Sequence, residues 1–400
     1  MKSKYFLNAM GIVNPLGVGK NEVAQNLLDG SCEGMMKSPD FLANQDTIVG
    51  KVNCDLPVTP LHLKQHDSRN NRLILKALLE IDHDIQYAIS KYGKKRIAVV
   101  MGTSTTGISD NEIGIVHKLK NGHFPEEFEF ARQETSSISE FVAGYYGLEG
   151  PCVTISTACT SSAKTLSAAR RYIETGFCDA AIVGGADTLC RLTLNGFNAL
   201  DSLSIGKCAP FGVDRDGINI GEGAVAFLMT KEKSAVELLG IGETSDAYHI
   251  SAPAPEGVGA KNAMKKALND ACLTQEDIGY VNLHGTATPL NDAMESSAVY
   301  DVFGANVPCS STKTMTGHML GAAGGNEIGF LWLILQDSYS NGLLPPQLWQ
   351  TERDTDLKPI CFVDFKQQRD RNKRAMMSNS FAFGGNNISV ILGVHNAEKL

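Results

Sequence analysis

The sequence predicts an α/β layered fold, and three observations carry that expectation. Short β-like runs alternate with amphipathic segments along the whole chain. No proline-rich linker, charge block or low-complexity tract divides it. A strand–turn–helix pattern also occurs twice, with Ser156 and Ser311 heading copies offset by 155 residues. The copies read "STACTSSAKTLSAARRYIETG" and "STKTMTGHMLGAAGGNEIGFLWLILQDSYSNG". A duplicated unit would make two pseudo-equivalent halves and bring both small-residue turns to one interface. Chance similarity of glycine- and alanine-rich segments is the competing explanation.

Taken in order, the elements follow from periodicity and punctuation. "MKSKYFLNAMGIVNPLG" opens with an apolar stretch that is short and broken by Asn8, which suits a strand better than a signal peptide. "NEVAQNLLDG" reads as a helix ending at glycine. Buried-strand patterns follow at Arg96 to Gly102, Cys152 to Ser156, Ala180 to Gly185, Ala224 to Thr230 and Ile388 to Val394. "TSSAKTLSAARRYIETG" and "MESSAVYDVFG" are helix candidates. So is "AKNAMKKALNDAC", where Ala263, Met264, Ala267, Leu268 and Ala271 form a stripe before the capping-type "TQED".

Composition narrows the function classes. Four hundred residues, 43% hydrophobic and 20% charged, suit a soluble protein with a sizeable core. A formal charge of −8 argues against general affinity for nucleic acid or anionic membrane. The longest strongly apolar run, Ile328 to Leu335, is far too short to span a bilayer. We therefore expect a cytoplasmic chain whose ten cysteines stay reduced. None stands in a CxxC pair, so a zinc ribbon or thioredoxin-like site has no support. His62 and His66, in "HLKQH", lack the glutamate of the zinc-protease motif and read as a solvated helix face.

The chemistry starts at Cys159, where a strand-like run meets small residues and then a helix. A thiol there is a packed core residue, a metal ligand, a disulfide half or a nucleophile; a helix N-terminus would lower its pKa, and small neighbours would admit a substrate carbonyl. Two histidines stand in loops poor in bulk: His284 in "YVNLHGTATPLND" and His318 in "SSTKTMTGHMLGAAGG". Such loops keep room for a ligand. Lys313 and Glu327 add charge to otherwise uncharged stretches, either as an exposed pair or as a buried one that sets the charge state of a nearby histidine. "MMSNSFAFGGNN" places a diglycine before the last strand, where a backbone N–H could face a ligand. Other patterns fail. "LGVGKNE" has Asn14 and Asn21 where a phosphate loop needs Gly and Ser/Thr, "VGGAD" lacks dinucleotide spacing, and there is no GxSxG elbow.

In this order, "STACTSSA", "NLHGTATPLND", "SSTKTMTGHMLGAAGG" and "SNSFAFGGNN" resemble the β-ketoacyl-acyl-carrier-protein synthases of the thiolase superfamily. "PFGVDRDGINIGEGA" and "DAYHISAPAPEG" bring the likeness closest to the type II elongating synthases, over about residues 5 to 394. The resemblance implies a thiolase-like fold of two pseudo-duplicated halves in α-β-α-β-α layers. We divide it as 1–240, carrying the cysteine, and 241–400, carrying the histidines. It implies decarboxylative Claisen condensation. Cys159 would accept an acyl group from a carrier-protein thioester, with the N–H groups of Cys159 and Phe383 as the oxyanion hole. His284 and His318 would bind the malonyl thioester and stabilise its enolate through Nε2. Lys313 and Glu327 would support the histidines, and Thr286 and Thr288 would bind the phosphopantetheine arm. No bound cofactor and no metal are expected. The partners would be acyl carrier protein and a second subunit, either a copy of the chain or a chain-length-factor-like protein.

Four positions depart from the family pattern. Ala382 precedes Phe383 where glycine is usual, and Asn386 replaces His or Thr after the diglycine. Lys164 stands where elongating synthases often carry histidine. Ala209 takes the place of a carrier-docking arginine, leaving Lys207, Arg69 and Arg72 as candidate docking cations. These changes leave the reaction type intact and bring a specialised aryl-polyene or polyketide-type pathway alongside fatty-acid synthesis. The competing readings are a thiolase or Cys–His acyl hydrolase, and a non-catalytic chain-length-factor-like scaffold. The presence of Cys159 argues against the scaffold.

Overall fold

The computed structural model describes residues 3–43 and 45–394. Eleven strands and one short pairing segment make a single 12-stranded sheet. In chain order the first half supplies β1 (Phe6–Asn14), β2 (Ile97–Gly102), β3 (Cys152–Ile155), β4 (Ala180–Asp187) and β5 (Gly223–Thr230). The second supplies β6 (Val236–Ser245), β7 (Ile278–Asn282), β8 (Pro308–Ser310), β9 (Cys361–Phe362), β10 (Ala375–Phe381) and β11 (Asn386–Val394).

The two halves repeat one topology. In the first, β1 and β5 run antiparallel, as do β5 and β4, while β4–β2 and β2–β3 are parallel. In the second, β6–β11 and β11–β10 are antiparallel, while β10–β7 and β7–β8 are parallel. Over five strands the order and the directions match, with β9 added beyond β8 in the second half only, which decides for duplication over chance similarity. The halves meet where Phe6 of β1 registers with Glu237 of β6. The division placed at 240/241 falls inside β6, and the chain passes between halves from Thr230 to Val236.

Hydrophobic faces set the layers. Helix α1 (Arg69–Leu79) contributes Leu73, Ile74 and Leu78 to the core against one face of the first half. Helix α2 (Ser161–Glu174) follows β3. Helix α3 (Val258–Ala271) and helix α4 (Pro289–Phe303) share a core with one face of the second half. Helix α5 (Ala323–Ile334) follows β8 as α2 follows β3, and both helices share the core formed between the halves. The result is the α-β-α-β-α order, with α2 and α5 in the middle. Small residues permit it. A Cβ on Gly102 would lie 2.4 Å from Ser162 N, and Gly325 N donates to Ser162 Oγ at 2.7 Å. The first turns of α2 and α5 therefore pack against each other.

Local chemistry moved some boundaries. The helix expected from Met294 begins at Pro289, because Pro fits the first helical position and leaves no donor unpaired. "TQED" forms its capping box on a short 3₁₀ turn, with Thr274 and Asp277 as partners. His66 is not on a solvated face. It is buried, and its Nδ1 lies 3.1 Å from Ser137 Oγ, because the 3₁₀ helix Leu61–His66 turns that side toward the 137–146 helix. No helix among the described residues is long and apolar enough to cross a membrane.

Candidate active site

Cys159 lies between β3 and α2, on a turn whose preceding residue, Ala158, is held at φ 52°. A residue with a Cβ resists that conformation, so the turn must be fixed from outside. Thr157 N–H donates to Ser161 Oγ at 2.9 Å, and Ser104 Oγ donates to Ala158 O at 3.3 Å. Ser104 belongs to a nest around Asp187, the aspartate of "VGGAD". Its Oδ1 accepts from Ser104 N and Thr105 N, both at 2.7 Å, and its Oδ2 from Ala322 N at 2.9 Å. One buried carboxylate thus braces the Cys159 turn against the segment that follows His318.

The histidines come from the other half. His284 leaves the end of β7, where its N–H and that of Gly285 donate to the Glu295 carboxylate at 2.7 and 2.6 Å. His318 follows Gly317 (φ 67°), its N–H donating to Asn219 O at 2.7 Å. Their rings meet edge to face, with centroids 5.3 Å apart. His318 Nε2 is 2.9 Å from Cys159 Sγ, and one donor atom from each of the three side chains falls within 4.8 Å of the others. The site faces a cavity of about 310 Å³ whose walls include Phe197, Leu200, Thr286, Thr288 and Phe383. Thr286 and Thr288 pair their hydroxyls at 2.9 Å, and Phe383 packs on Phe197 at 5.7 Å between ring centroids.

Lys313 and Glu327 form the buried alternative rather than an exposed pair. The ammonium is shared between the Glu327 carboxylate and the His284 carbonyl, and both side chains are at most 2% exposed. Burial pushes Glu327 up to about 7, against the pull of Lys313. Burial and the Lys313 charge also hold both imidazoles well below the usual histidine range, so they are neutral near pH 7. A Cys–His–His set could hold a soft cation. Here the adjacent ammonium opposes a cation, and among the described residues neither Nδ1 has the orienting partner that metal-bound histidines usually carry.

One expectation reverses. The helix N-terminus was expected to depress the Cys159 thiol, but burial dominates and pushes it up to about 11. Lys313 and the N–H of Phe383 only partly offset that cost. The free thiol is therefore protonated near neutrality, with His318 Nε2 beside it. Alkylation of Cys159 by iodoacetamide is expected to climb about tenfold per pH unit from roughly pH 7 to pH 10, since only the thiolate reacts. A rate already level at neutral pH would show a depressed thiol instead.

The outlying candidates separate from this cluster. Arg69 is not a free docking cation: its guanidinium grips the buried Glu222 at 2.9 and 2.6 Å and the Val52 carbonyl at 3.1 Å. Breaking that pair would strand a buried carboxylate. Arg72 is paired to Asp67 at 2.7 and 2.8 Å but keeps part of its surface in solvent. Lys207 is half-buried, and Ala209 is buried. Ala382 is buried in the turn that carries Phe383, and Lys164 Nζ donates to Asn386 Oδ1 at 2.9 Å. Asp187 and Glu295 were missed. Asp187 sat in a glycine pattern tested only for a cofactor, and Glu295 lies 11 residues beyond its histidine, inside a helix.

Comparison with known proteins identifies the family. Residues 7–235 match the β-ketoacyl synthase N-terminal domain, and residues 235–348 the C-terminal domain. The chain is 30% identical to 3-oxoacyl-(acyl-carrier-protein) synthase 2 of Staphylococcus aureus, covering 96% of this chain and 99% of the relative. It is 31% identical to the synthase of the same name from Coxiella burnetii, over 98% of each. Among solved structures, it resembles a ketosynthase, ApeO, in complex with its chain length factor, ApeC, from Xenorhabdus doucetiae. That likeness has a TM-score of 0.92 and 45% identity over 98% of each chain. The ishigamide ketosynthase/chain length factor follows at TM-score 0.88 and 25% identity, covering 99% of this chain and 100% of that one. With a buried thiol and two neutral histidines converging from duplicated halves, the chain belongs to the β-ketoacyl synthase family, the acyl-transferring condensing enzymes of thiolase-like α/β fold.

Proposed function

We propose that this enzyme moves an acyl group from the phosphopantetheine thioester of an acyl carrier protein onto Cys159. It then condenses that group with a carrier-bound malonyl unit, within a specialised, polyketide-type or aryl-polyene pathway. The observation that carries the reading is the convergence of Cys159 Sγ, His284 and His318 within 4.8 Å at one cavity. In the first step His318 Nε2 takes the thiol proton as Sγ attacks the thioester carbonyl, and the oxyanion falls to the N–H groups of Cys159 and Phe383. The carbonyl re-forms, the pantetheine thiolate leaves, and the proton on His318 neutralises it. In the second step both neutral imidazoles are Nε2–H tautomers, His318 having exchanged its Nδ1 proton for one on Nε2 through water between the steps, and both donate to the malonyl thioester carbonyl. The C–C bond to the carboxylate breaks, carbon dioxide leaves, and the enolate carbon attacks the Cys159 acyl carbon, releasing the sulfur.

Lys313 and Glu327 hold His284 in this reading, Thr286 and Thr288 contact the pantetheine arm, and Arg72 and Lys207 are the remaining docking cations. Residues 1–240 bring the nucleophile and 241–400 the histidines. A second subunit similar to a chain length factor is favoured over a second copy. The 45% identity to a ketosynthase solved with such a partner exceeds the 30–31% to the synthase 2 relatives. The edge strand β3, paired on one side only among the described residues, offers a backbone edge for it. The test supplies carrier-bound acyl and malonyl groups, to the chain alone and with the partner co-expressed. Expected are an acyl mass on the Cys159 peptide and malonyl-dependent carbon dioxide release. Acyl hydrolysis with no carbon dioxide would favour a hydrolase.

A further inference from the structure

Lys164 and Asn386 stand 222 residues apart in the sequence, and the ammonium of one donates to the side-chain carbonyl of the other at 2.9 Å. Each sits on an element with a direct hold on the nucleophile. Lys164 lies in the first turns of α2, five residues beyond Cys159. Asn386 closes the turn that carries Phe383: Ala382 N–H donates to Asn386 O at 2.7 Å, and Gly385 N–H to Ala382 O at 3.0 Å. Phe383, in that turn, borders the cavity with Cys159, and its N–H is near enough to the thiol to pull its pKa down.

The turn is tight. Gly384 and Gly385 have φ of 82° and 75°, so its path depends on anchors rather than on side-chain bulk. Some anchors lie within the second half. Gly384 N–H donates to Ile250 O and Asp246 N–H to Gly385 O, both at 2.8 Å, and Asn387 Nδ2 donates to Asp246 Oδ1 at 2.7 Å. The Lys164 bond crosses to the first half. Its ammonium is half-buried, a costly placement unless a partner compensates. The neighbouring Glu243 is already engaged by Ser167 Oγ at 2.7 Å and Arg171 Nη2 at 2.8 Å, whereas Asn386 accepts directly from Lys164.

We propose that Lys164 is a positioning residue: through Asn386 it fixes the Phe383 turn to the nucleophile helix and so sets the oxyanion donor over Cys159. This rests on the reading of Cys159 as the acyl acceptor. An oxyanion donor works only within a few tenths of an ångström of its place, so a slack turn costs rate even when the fold is intact.

The test measures Cys159 acylation by an acyl-phosphopantetheine thioester, followed by mass spectrometry, and the thiolate titration by ultraviolet absorbance. The variants are Lys164→Met, Asn386→Leu, the two combined, and Lys164→Arg. Each of the first two should slow acylation about tenfold and raise the thiolate midpoint, because both loosen the same donor. The combined variant should be no slower than either single one, and Lys164→Arg should keep the wild-type rate. Additive loss of about 100-fold would overturn the proposal. So would slowing by Lys164→Met with Asn386→Leu at the wild-type rate, since the effect would then run through charge rather than the bond. Wild-type protein that takes up no acyl group would overturn the acyl-acceptor reading and this proposal with it. Wild-type acylation with uncoupled variants would overturn this proposal alone.

Discussion

Cys159→Ala is expected to take up no acyl group and to lose condensation by a factor on the order of 10⁴ or more. In the proposed reaction the sulfur is the nucleophile: Sγ has His318 Nε2 at 2.9 Å and the Phe383 N–H beside it. The hydroxyls of Thr286 and Thr288, which also face the cavity, pair with each other at 2.9 Å. An unactivated hydroxyl is a poor substitute for a thiol. Alanine shrinks one side chain in a turn held by backbone and hydroxyl bonds, so the variant should fold. Mass spectrometry of the 159-containing peptide, with carbon dioxide release from malonyl thioester, reads the result. Condensation near the wild-type rate in Cys159→Ala would refute the assignment.

The histidine variants should separate where the sequence treats the two residues alike. Both His284→Ala and His318→Ala should lower malonyl decarboxylation by about 10²- to 10³-fold, since each removes one donor to the enolate. Acylation should differ. His318 Nε2 touches the sulfur, so its loss is expected to slow acyl uptake by about 10²-fold, the usual contribution of a positioned base. His284→Ala should leave acyl uptake within about threefold of wild type. Single-turnover acylation and carbon dioxide release, measured on the same preparations, distinguish the steps. Complete and equal loss of acylation in both variants would rule out this division of roles.

Several parts of the site were legible because they depend on local chemistry. Cys159 before a helix, His284 and His318 in loops of small residues, and a diglycine before the last strand each state a requirement for space or an exposed N–H. Periodicity likewise reads from neighbours three and four apart, and it located α2 and α3 closely. The echo between Ser156 and Ser311 suggested a repeat but left chance open. Matching strand directions in the two halves decided it, because topology needs pairings between distant segments.

Other features had no local signal. Nothing near Arg69 announces Glu222, and nothing near Lys164 announces Asn386; both contacts exist only once the chain has brought remote elements together. Burial behaves the same way. It turned His66 inward, neutralised the two imidazoles and raised the Cys159 thiol to about 11. The sign of that last shift depends on how much water the fold excludes, a sum over many residues that no short window contains.

Residue type and short spacing alone carried the α/β class and the family motifs, and singled out Cys159, His284 and His318 as candidates, because each is written in neighbouring residues. Only the tertiary structure decided the charge states, the pairing of Lys313 with Glu327 and the bond from Lys164 to the Phe383 turn. Those depend on distance and dielectric between residues far apart in the chain, and folding alone sets both.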